Sequence, residues 1–372
     1  MTLIIRQVES RRDLRRFIHL PEVIHKNHTN WLPPIYLDEW KFFNPRKNRA
    51  FSHSDTLLLL AFEDKRPVGR IMGIVNRSYN TTHGELTARF GYLECYDDQQ
   101  LAHQLMAAVE DWARALGMKK IVGPYGFSDK DPQGLQIEGF EQDPTLAAPC
   151  NEPYLVRIVE KEGYEKEVDC LMFTHPVSAG IPANYPAISE RILRNPDFSL
   201  IEPRTKKELR PYIFPVLRML NDAYADIYGF LPMDEREMKD FSDRYLPVLD
   251  TRFVKLIAAE GEIVAFMIGL PSLIKGIQAS RGYLFPFGIF QLIKAGKASR
   301  QLDLMLGGVK PAYQNKGLAV LLVQKMFDSA KEGGFTRIDI HLVLETNHKM
   351  LAELYRGGAK SHKRFRVFRK AL

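Results

Sequence analysis

The feature that most constrains the fold of this 372-residue chain is an internal duplication. Residues 2–18, TLIIRQVESRRDLRRFI, align by eye with residues 199–214, SLIEPRTKKELRPYIF, and each stretch combines a short apolar strand, a polar turn and the start of a helix. Residues 56–75 and 253–270 are each two apolar runs joined by a charged turn, which is typical of a β-hairpin. The repeat predicts two copies of one unit rather than one large domain.

The later parts of the two halves also correspond. A helix ends at Gly117 in the first half and at Gly334 in the second, and a strand follows each glycine. Asn151 and Asn347 then begin another helix, as side-chain capping favours. Each half is therefore predicted to be a mixed α/β unit, an α+β arrangement built on a mixed sheet.

The boundary between the halves is predicted from proline content. Several prolines fall between Pro176 and Asp197, and a stretch of this kind favours a linker over a helix or strand. The predicted domains are residues 1–177 and 198–372, with the linker at residues 178–197.

The most informative short motif is VKPAYQNKGLA, residues 309–319, which follows the apolar strand LDLMLGGV. A glycine turn at a helix start exposes backbone N–H groups that lack partners in the helix, and the helix dipole adds partial positive charge there. A pyrophosphate group requires this environment. The helix itself is predicted from apolar residues at helical spacing, namely Leu322, Val323, Met326, Phe327 and Ala330.

Residues 309–319 resemble the acyl-CoA-binding motif of the GCN5-related N-acetyltransferase (GNAT) superfamily. That motif runs Gln or Arg, two residues, Gly, one residue, and Gly or Ala, and the matching residues here are Gln314, Gly317 and Ala319. The strand RIDIHLVLETN and the helix that begins at Asn347 resemble the next motif of the family. The resemblance covers residues 253–372 well and the first half only in its layout, so the chain resembles a tandem two-domain GNAT protein.

The resemblance implies direct transfer of an acyl group from coenzyme A to an amine, in a cleft where two parallel strands splay apart. Acetyl-CoA is the expected donor, with another acyl-CoA as the alternative, and the acceptor is a small-molecule or peptide amine. The enzyme would hold amine and thioester together, remove a proton from the ammonium group and return one to the departing thiolate. The residues that the resemblance assigns to the cofactor are Gly308, Val309, Gln314, Asn315, Lys316, Gly317, Leu318, Ala319 and Asn347.

The proton donor does not match the family pattern. Many members have a tyrosine seven residues after the motif asparagine, whereas this chain has Leu354 there and Tyr355 one residue later. One residue turns about 100° around a helix, so Tyr355 would point in a different direction. Tyr355 is the candidate donor, and a packing or rim tyrosine is the alternative.

The general base has several candidates. Glu345 is preferred because it lies where the predicted strand ends and the helix at Asn347 begins. Asp303, Asp339 and His341 lie on or beside the strands that should border the cleft. Because their neighbours alternate as apolar residues, an outward, solvated position is favoured for each of the three.

Three further residues are candidate contacts to the acceptor. Tyr224 and Tyr228 belong to an aromatic stretch near the first helix of the second half, and the alternative is the core face of a helix. Glu138 lies in a long insertion, residues 123–154, whose acidic residues would recognise a cationic amine. An insertion that packs on the other half is the alternative for that segment.

The first half departs further from the family pattern. The stretch GYLECYDDQQLAHQLM has no glycine after its strand, and Asp97 and Asp98 put negative charge where a pyrophosphate would sit. The first half is therefore predicted to serve as a scaffold that does not bind coenzyme A, with one wall of the acceptor site as a further role.

Composition restricts the cellular compartment and the class of partner more than it restricts the reaction. The net charge of +7 permits attraction to nucleotides, acidic ligands or anionic surfaces, and a nucleic-acid partner is not favoured. Cys95, Cys150 and Cys170 are far apart, so no metal site is predicted and a reducing cytoplasm fits best. No run reaches the roughly 18 to 20 apolar residues of a membrane span.

One apolar stretch, residues 283–293, has no counterpart in the family pattern. Burial against the first half or in a homodimer contact is favoured, and the alternatives are a membrane surface or an acyl-chain site. The basic residues at its edges are Lys275, Arg281, Lys294 and Lys297.

Two other functions stay open beside the acyltransferase. One is a noncatalytic protein that keeps the fold and binds coenzyme A as a sensor, since the tyrosine is displaced and no base is obvious. The other is a transferase with a different donor, such as aminoacyl-tRNA, although the QNKGLA loop suits a compact pyrophosphate better.

Overall fold

A computed structural model describes residues 3–146, 148–225 and 227–372 of the chain. In the first half the strands are β1 (Leu3–Gln7), β2 (Ser54–Glu63), β3 (Arg66–Asn76), β4 (Thr87–Cys95), β5 (Lys120–Gly123), β6 (Leu135–Glu138) and β7 (Glu165–Pro176). The helices of that half are α1 (Arg11–Ile24), α2 (Tyr36–Phe42), α3 (Arg77–His83), α4 (Gln99–Ala115) and α5 (Pro153–Lys161).

The second half repeats the order of elements, as the duplication predicts. Its helices are α6 (Tyr185–Leu193), α7 (Lys206–Leu209), α8 (Ile213–Ala223), α9 (Glu235–Tyr245), α10 (Ile274–Ser280), α11 (Gly288–Ala298), α12 (Leu318–Glu332) and α13 (His348–Arg356). Its strands are β8 (Ser199–Ile201), β9 (Val254–Ala259), β10 (Glu262–Pro271), β11 (Gln301–Val309), β12 (Arg337–Leu344) and β13 (Lys360–Ala371). The mixed α/β fold predicted from the sequence is thereby confirmed.

The chain forms two compact units, and each unit combines segments from both halves of the sequence. The first unit comprises Met1–Leu171, Leu273–Ala295 and His362–Leu372, and the second comprises Met172–Ser272 and Gly296–Ser361. The boundaries 1–177 and 198–372 stay a prediction about where the sequence repeats. The stretch 178–197, predicted as a linker, contains α6.

In the first unit the strand order is β1, β2, β3, β4, β5 and β13, and β6 also pairs with β13. The pair β4 and β5 is parallel, and its register extends only from Thr87 opposite Lys120 to Arg89 opposite Val122. The apolar side chains of α4 and α5 pack on one face of this sheet, and those of α1 and α2 pack in a separate cluster.

In the second unit the strand order is β8, β9, β10, β11 and β12, with β11 and β12 parallel. One apolar cluster contains α8 and the neighbouring part of β10. Two other clusters contain α12, whose buried residues follow the predicted helical spacing: Leu318, Leu321, Leu322, Met326, Phe327 and Ala330. The sheet thus has helices on both faces. Because α12 is the helix that follows β11 in the chain, its N-terminus lies at the end of that strand.

The described part of the chain includes no helix with both the length and the apolar character of a transmembrane span.

Candidate active site

The loop between β11 and α12 contains two residues in the left-handed backbone conformation. A short 3₁₀ turn at Pro311–Tyr313 follows β11, and Gln314 is then extended. Asn315 has φ of 61° and Gly317 has φ of 88°, both in the left-handed region that asparagine and glycine tolerate best. This path ends with Gly317 as the residue that precedes the first turn of α12.

The N-terminus of α12 is open toward solvent. The backbone N–H groups of residues 315–319 have no hydrogen-bond acceptor among the described residues. Gly317 has no side chain that caps the helix, and Ala319 in the first turn is exposed. Unsatisfied N–H groups and the helix dipole together favour an anion at such a position.

Gly317 also has a packing reason to be glycine. A Cβ atom at this position would lie 2.9 Å from Ile192 Cδ1 and 3.0 Å from Ile188 Cγ2, both on α6. A side chain at residue 317 would therefore have to displace the Ile192 and Ile188 side chains and would also strain the left-handed backbone there. The sequence pattern alone did not reveal this contact, because the two segments lie far apart along the chain.

Two lysines near the loop differ in their partners. Lys310 pairs with Glu262 at 2.8 Å, which raises the pKa of the Lys310 ammonium group. Lys316 lies with its Nζ atom 4.8 Å from the centre of the Tyr313 ring and has no carboxylate within 4 Å among the described residues. Lys316 is thus the cation of the loop that is available to a phosphate.

The two parallel strands separate next to the loop, as the family resemblance predicts. β11 and β12 pair only from Gln301 opposite Arg337 to Leu304 opposite Ile340. Beyond that point β11 stays paired with β10 up to Val309, after an irregularity in β10 between Ile268 and Gly269. The backbone of β11 that follows Leu304 consequently borders an opening rather than a neighbouring parallel strand.

The opening contains the backbone of Gly307 and Gly308, and one predicted acceptor residue contacts it. The Tyr224 hydroxyl donates to the Gly307 carbonyl oxygen at 3.0 Å and lies 3.3 Å from the Gly307 nitrogen. Tyr228 is half-buried in the segment between α8 and α9. Glu138, the third predicted acceptor residue, belongs to the other compact unit and pairs there with Arg364 at 3.1 Å.

The helix α13 positions the remaining predicted residues. The Asn347 side chain accepts a hydrogen bond from the Met350 N–H group at 3.2 Å and caps the helix. Tyr355 is 56% exposed, and its ring packs edge-on against Phe173 with 5.3 Å between ring centres. Glu345 is half-buried in the turn between β12 and α13.

Asp303, Asp339 and His341 are buried, so the solvated position favoured from their sequence pattern is wrong. Their strands are covered on both faces, and alternation of apolar and polar residues then identifies two faces without telling which is wet. His341 Nε2 lies 3.3 Å from Asp303 Oδ1. The Gln301 amide nitrogen donates to Asp303 Oδ1 at 2.7 Å and to Asp339 Oδ2 at 3.0 Å.

The two carboxylates of this buried cluster differ in their surroundings. Asp339 accepts a hydrogen bond from the Thr174 hydroxyl at 2.7 Å and lies 3.2 Å from Arg337. Burial nevertheless raises the pKa of Asp339, and the nearby Asp303 adds to this effect. Asp303 is fully buried, and its Oδ2 atom has no hydrogen-bond partner among the described residues. The pair of Asp303 and His341 therefore keeps an unused acceptor oxygen where the strands separate.

The corresponding helix start in the first unit is closed. The Asp98 side chain accepts hydrogen bonds from the N–H groups of Gln100 at 2.9 Å and Leu101 at 3.1 Å. The insertion after β5 contributes Tyr125 and Phe127, which are buried in the first unit. The Tyr125 N–H group donates to the Phe90 carbonyl oxygen at 2.8 Å, so β4 and the chain after β5 stay joined where the equivalent strands of the second unit separate.

A model of the acetyltransferase (GNAT) family matches residues 24–124 and residues 215–356. A protein of Caulobacter vibrioides (strain NA1000 / CB15N) named bacterial ceramide synthase is 29% identical over 376 residues, which cover 98% of this chain and 96% of that protein. Protein YghO of Escherichia coli (strain K12) is 26% identical over 378 residues, covering 99% and 95% of the two chains.

Among solved structures, a tandem GNAT protein from the clavulanic acid biosynthesis pathway is similar over 100% of this chain and 98% of its own, with a TM-score of 0.56 and 12% identity. At that identity the similarity concerns the fold, and it agrees with the two matches to the family model. The chain belongs to the acetyltransferase (GNAT) family and contains two copies of its domain.

Proposed function

We propose that this protein transfers an acyl group from an acyl-CoA donor to an amine and that the second unit holds the donor. The observation that carries the proposal is the open N-terminus of α12, which lies at the end of β11 beside the opening between β11 and β12. An uncapped helix start with a free lysine beside it suits a pyrophosphate.

Each part of the donor has a corresponding part of the site. The N–H groups of residues 315–319 and the Lys316 ammonium group would bind the pyrophosphate. The pantetheine arm would lie along Gly308 and Val309, where β11 has no parallel neighbour. Asn347 would approach the donor from the start of α13.

The buried pair His341 and Asp303 is the group that we propose accepts the proton from the acceptor ammonium. The neutral amine nitrogen then attacks the thioester carbonyl carbon, an amide C–N bond forms, and the C–S bond breaks with the electron pair on sulfur. Glu345 stays the competing proton acceptor. Tyr355 is the proposed proton donor to the thiolate, which leaves readily without much assistance because thiols of this kind have pKa values near 8.5.

We further propose that the acyl group is a fatty acyl chain and that the acceptor is a long-chain amino alcohol. A ceramide is the amide formed from these two components, and a relative similar over nearly the whole of both chains is named bacterial ceramide synthase. Acetyl-CoA, the donor expected from the family resemblance, is the competing possibility for the same site.

The experiment compares acetyl-CoA, octanoyl-CoA and palmitoyl-CoA with a long-chain and a short-chain amino alcohol. The product amide is measured by mass spectrometry, which identifies the acyl group that was transferred. A fatty acyl donor with the long-chain amine should give kcat/KM at least about tenfold above acetyl-CoA, since each buried methylene group contributes roughly 0.8 kcal/mol. Faster transfer of acetyl to the short amine would overturn the fatty-acyl assignment. Binding of every donor without any amide product would instead support the sensor.

A further inference from the structure

A ridge of large apolar side chains stands exposed on the first unit. Five residues within nine positions form this apolar ridge, and their exposed fractions run from 40% to 71%. Single exposed apolar residues are common on proteins, whereas a contiguous group of this size marks an interaction surface. The ridge comprises Phe285, Phe287, Ile289, Phe290 and Ile293.

The local packing explains why these side chains are left outside. Helix α11 turns Gly288 and Leu292 inward, and a Cβ atom on Gly276 of α10 would lie 2.8 Å from the Leu292 Cα atom. Because this face of α11 packs closely against α10, Phe290 and Ile293 are left on the opposite, exposed side of the helix.

The segment that carries the ridge is anchored to the rest of the first unit. The Tyr283 hydroxyl lies 3.0 Å from Glu22 Oε2 and 3.2 Å from His19 Nδ1 on α1. A Cβ atom on Gly282 would lie 2.1 Å from the Pro34 carbonyl oxygen, which shows how closely the chain approaches there. The segment that carries the ridge is therefore held in place by specific contacts within the first unit.

The charged residues of the segment that carries the ridge have one sign, and the neighbouring carboxylate of Glu22 on α1 is bonded to Tyr283. No aspartate or glutamate occurs between Glu262 and Asp303, a stretch of forty residues that contains five basic side chains. All five are exposed, and within the described ranges none of them has a carboxylate within 4 Å. They are Lys275, Arg281, Lys294, Lys297 and Arg300.

The charge and geometry of this surface indicate which kind of partner binds to it. Phe290, Ile293, Lys294 and Lys297 share one face of α11, because residues three, four and seven apart align on a helix. A second copy of the chain, docked symmetrically, would put these cations against their own counterparts. An anionic lipid surface instead accepts the aromatic side chains and neutralises the lysines.

We propose that the apolar ridge, together with Lys294 and Lys297 of α11, binds the surface of an anionic lipid bilayer. The eleven residues of α11 span about 16 Å at 1.5 Å per residue, well short of the about 30 Å of a hydrocarbon core, so the helix lies in the interface. This inference goes beyond the proposed acyl transfer, and its test requires no substrate.

The experiment measures co-sedimentation of the full chain with vesicles of phosphatidylglycerol and phosphatidylcholine, and with vesicles of phosphatidylcholine alone. The unchanged chain should sediment with the anionic vesicles, and less so at high salt. The double variant Phe287→Ser/Phe290→Ser and the double variant Lys294→Glu/Lys297→Glu should each weaken binding at least about tenfold.

Matched variants at exposed positions elsewhere serve as controls, namely Leu86→Ser for the apolar change and Lys47→Glu for the charge change. Thermal unfolding of every variant shows whether it folds. A second reading uses Phe290→Trp, whose emission should shift to shorter wavelength when anionic vesicles are added.

Three outcomes would overturn the proposal. The first is that the unchanged chain ignores the vesicles and the emission of the Phe290→Trp variant is unaltered by them. The second is that the control variants weaken binding as much as the ridge variants. The third is that the ridge variants only convert a dimer into a monomer, which would assign the surface to a second copy.

Discussion

The start of α4 in the first half and the start of α12 in the second half occupy the same place in the repeated fold. They differ in whether a side chain accepts hydrogen bonds from the first N–H groups of the helix. In α4 the Asp98 carboxylate accepts from Gln100 and Leu101. In α12 the preceding residue is Gly317, which has no side chain to accept a hydrogen bond. The N–H groups at the start of α4 are bonded to a side chain of the chain itself, whereas those at the start of α12 have no acceptor among the described residues, as the proposed donor site requires.

The strands beside these helices differ in the same sense. Arg89 opposite Val122 corresponds in register to Asp303 opposite Asp339. The buried Arg89 guanidinium donates to the carbonyl oxygens of Gly126 at 3.1 Å and Phe127 at 2.7 Å, both in the insertion. The first half thus uses its central side chain to hold a loop in place, whereas the second half keeps a carboxylate with an unused oxygen. This difference is what the proposed division between a supporting first half and a reacting second half would require.

The largest effect is expected from adding a negative charge to the open helix start. Ala319→Glu should weaken acyl-CoA binding about 1000-fold, because it blocks at least two charge-assisted hydrogen bonds of roughly 1.5 to 3 kcal/mol each and repels the pyrophosphate. Isothermal titration with acyl-CoA measures the change. Residue 319 is preferred to residue 317, where any side chain would also strain the left-handed backbone and press on Ile192 and Ile188.

The matched control is Gln100→Glu, at the same second position of α4. That change should leave acyl-CoA binding unaltered, since the first half is not expected to bind the donor. Equal losses in the two variants would mean that both helix starts, or neither, contact the cofactor.

The next effect concerns the buried pair of the second half. His341→Gln should lower kcat about 100-fold, the lower part of the range for a lost proton acceptor, with little change in the KM for acyl-CoA. Asp303→Asn should lower kcat less, because the imidazole remains. Steady-state kinetics with the pH dependence of kcat measures both variants.

His175→Gln supplies the comparison for that experiment. His175 is also buried in the second unit, and its Nε2 atom lies 2.7 Å from the Gly180 carbonyl oxygen. The His175→Gln variant should be less stable than the unchanged chain, but the pH dependence of its kcat should stay the same. If Glu345→Gln lowered kcat and His341→Gln did not, the proton acceptor would be Glu345.

The same comparison shows what a sequence can predict. The loop and α12 were predictable because a glycine turn, helical spacing and a preceding apolar strand are all local signals. The burial of Asp303 and His341 was not, since alternation along a strand does not reveal which face another element covers. The contact of Gly317 with α6 and the hydrogen bond of Tyr224 to Gly307 depend on segments that are distant in sequence. Only the folded chain brings them together.

A smaller effect is expected at the closed helix start. Asp98→Ala should lower the free energy of unfolding by about 1 kcal/mol, because two N–H groups of α4 lose their acceptor. It should not create a donor site, since the hydrogen bond from Tyr125 to Phe90 still joins the chain where the strands would have to separate. Urea unfolding and acyl-CoA titration measure the two parts.

Asp97→Ala is the neighbouring control for this variant. Asp97 pairs with Arg157 at 2.6 Å, but both side chains are more than half exposed, so the loss should stay below about 0.5 kcal/mol. New acyl-CoA binding by Asp98→Ala would contradict the view that the insertion closes the first half.

The smallest effect is a pH dependence at Asp339. Burial raises the pKa of this carboxyl above its ordinary value of 3.8, so the folded state takes up a proton at a higher pH than the unfolded state does. The cost of holding the charge is fully present above the folded pKa and disappears as the pH falls to 3.8. Acidification should therefore stabilise the unchanged chain relative to Asp339→Asn. Urea unfolding of both proteins from neutral to acidic pH measures this difference, which cancels the titration of all other groups. A difference that stays constant would mean that Arg337 and Thr174 offset burial, and one of opposite sign would mean that they outweigh it.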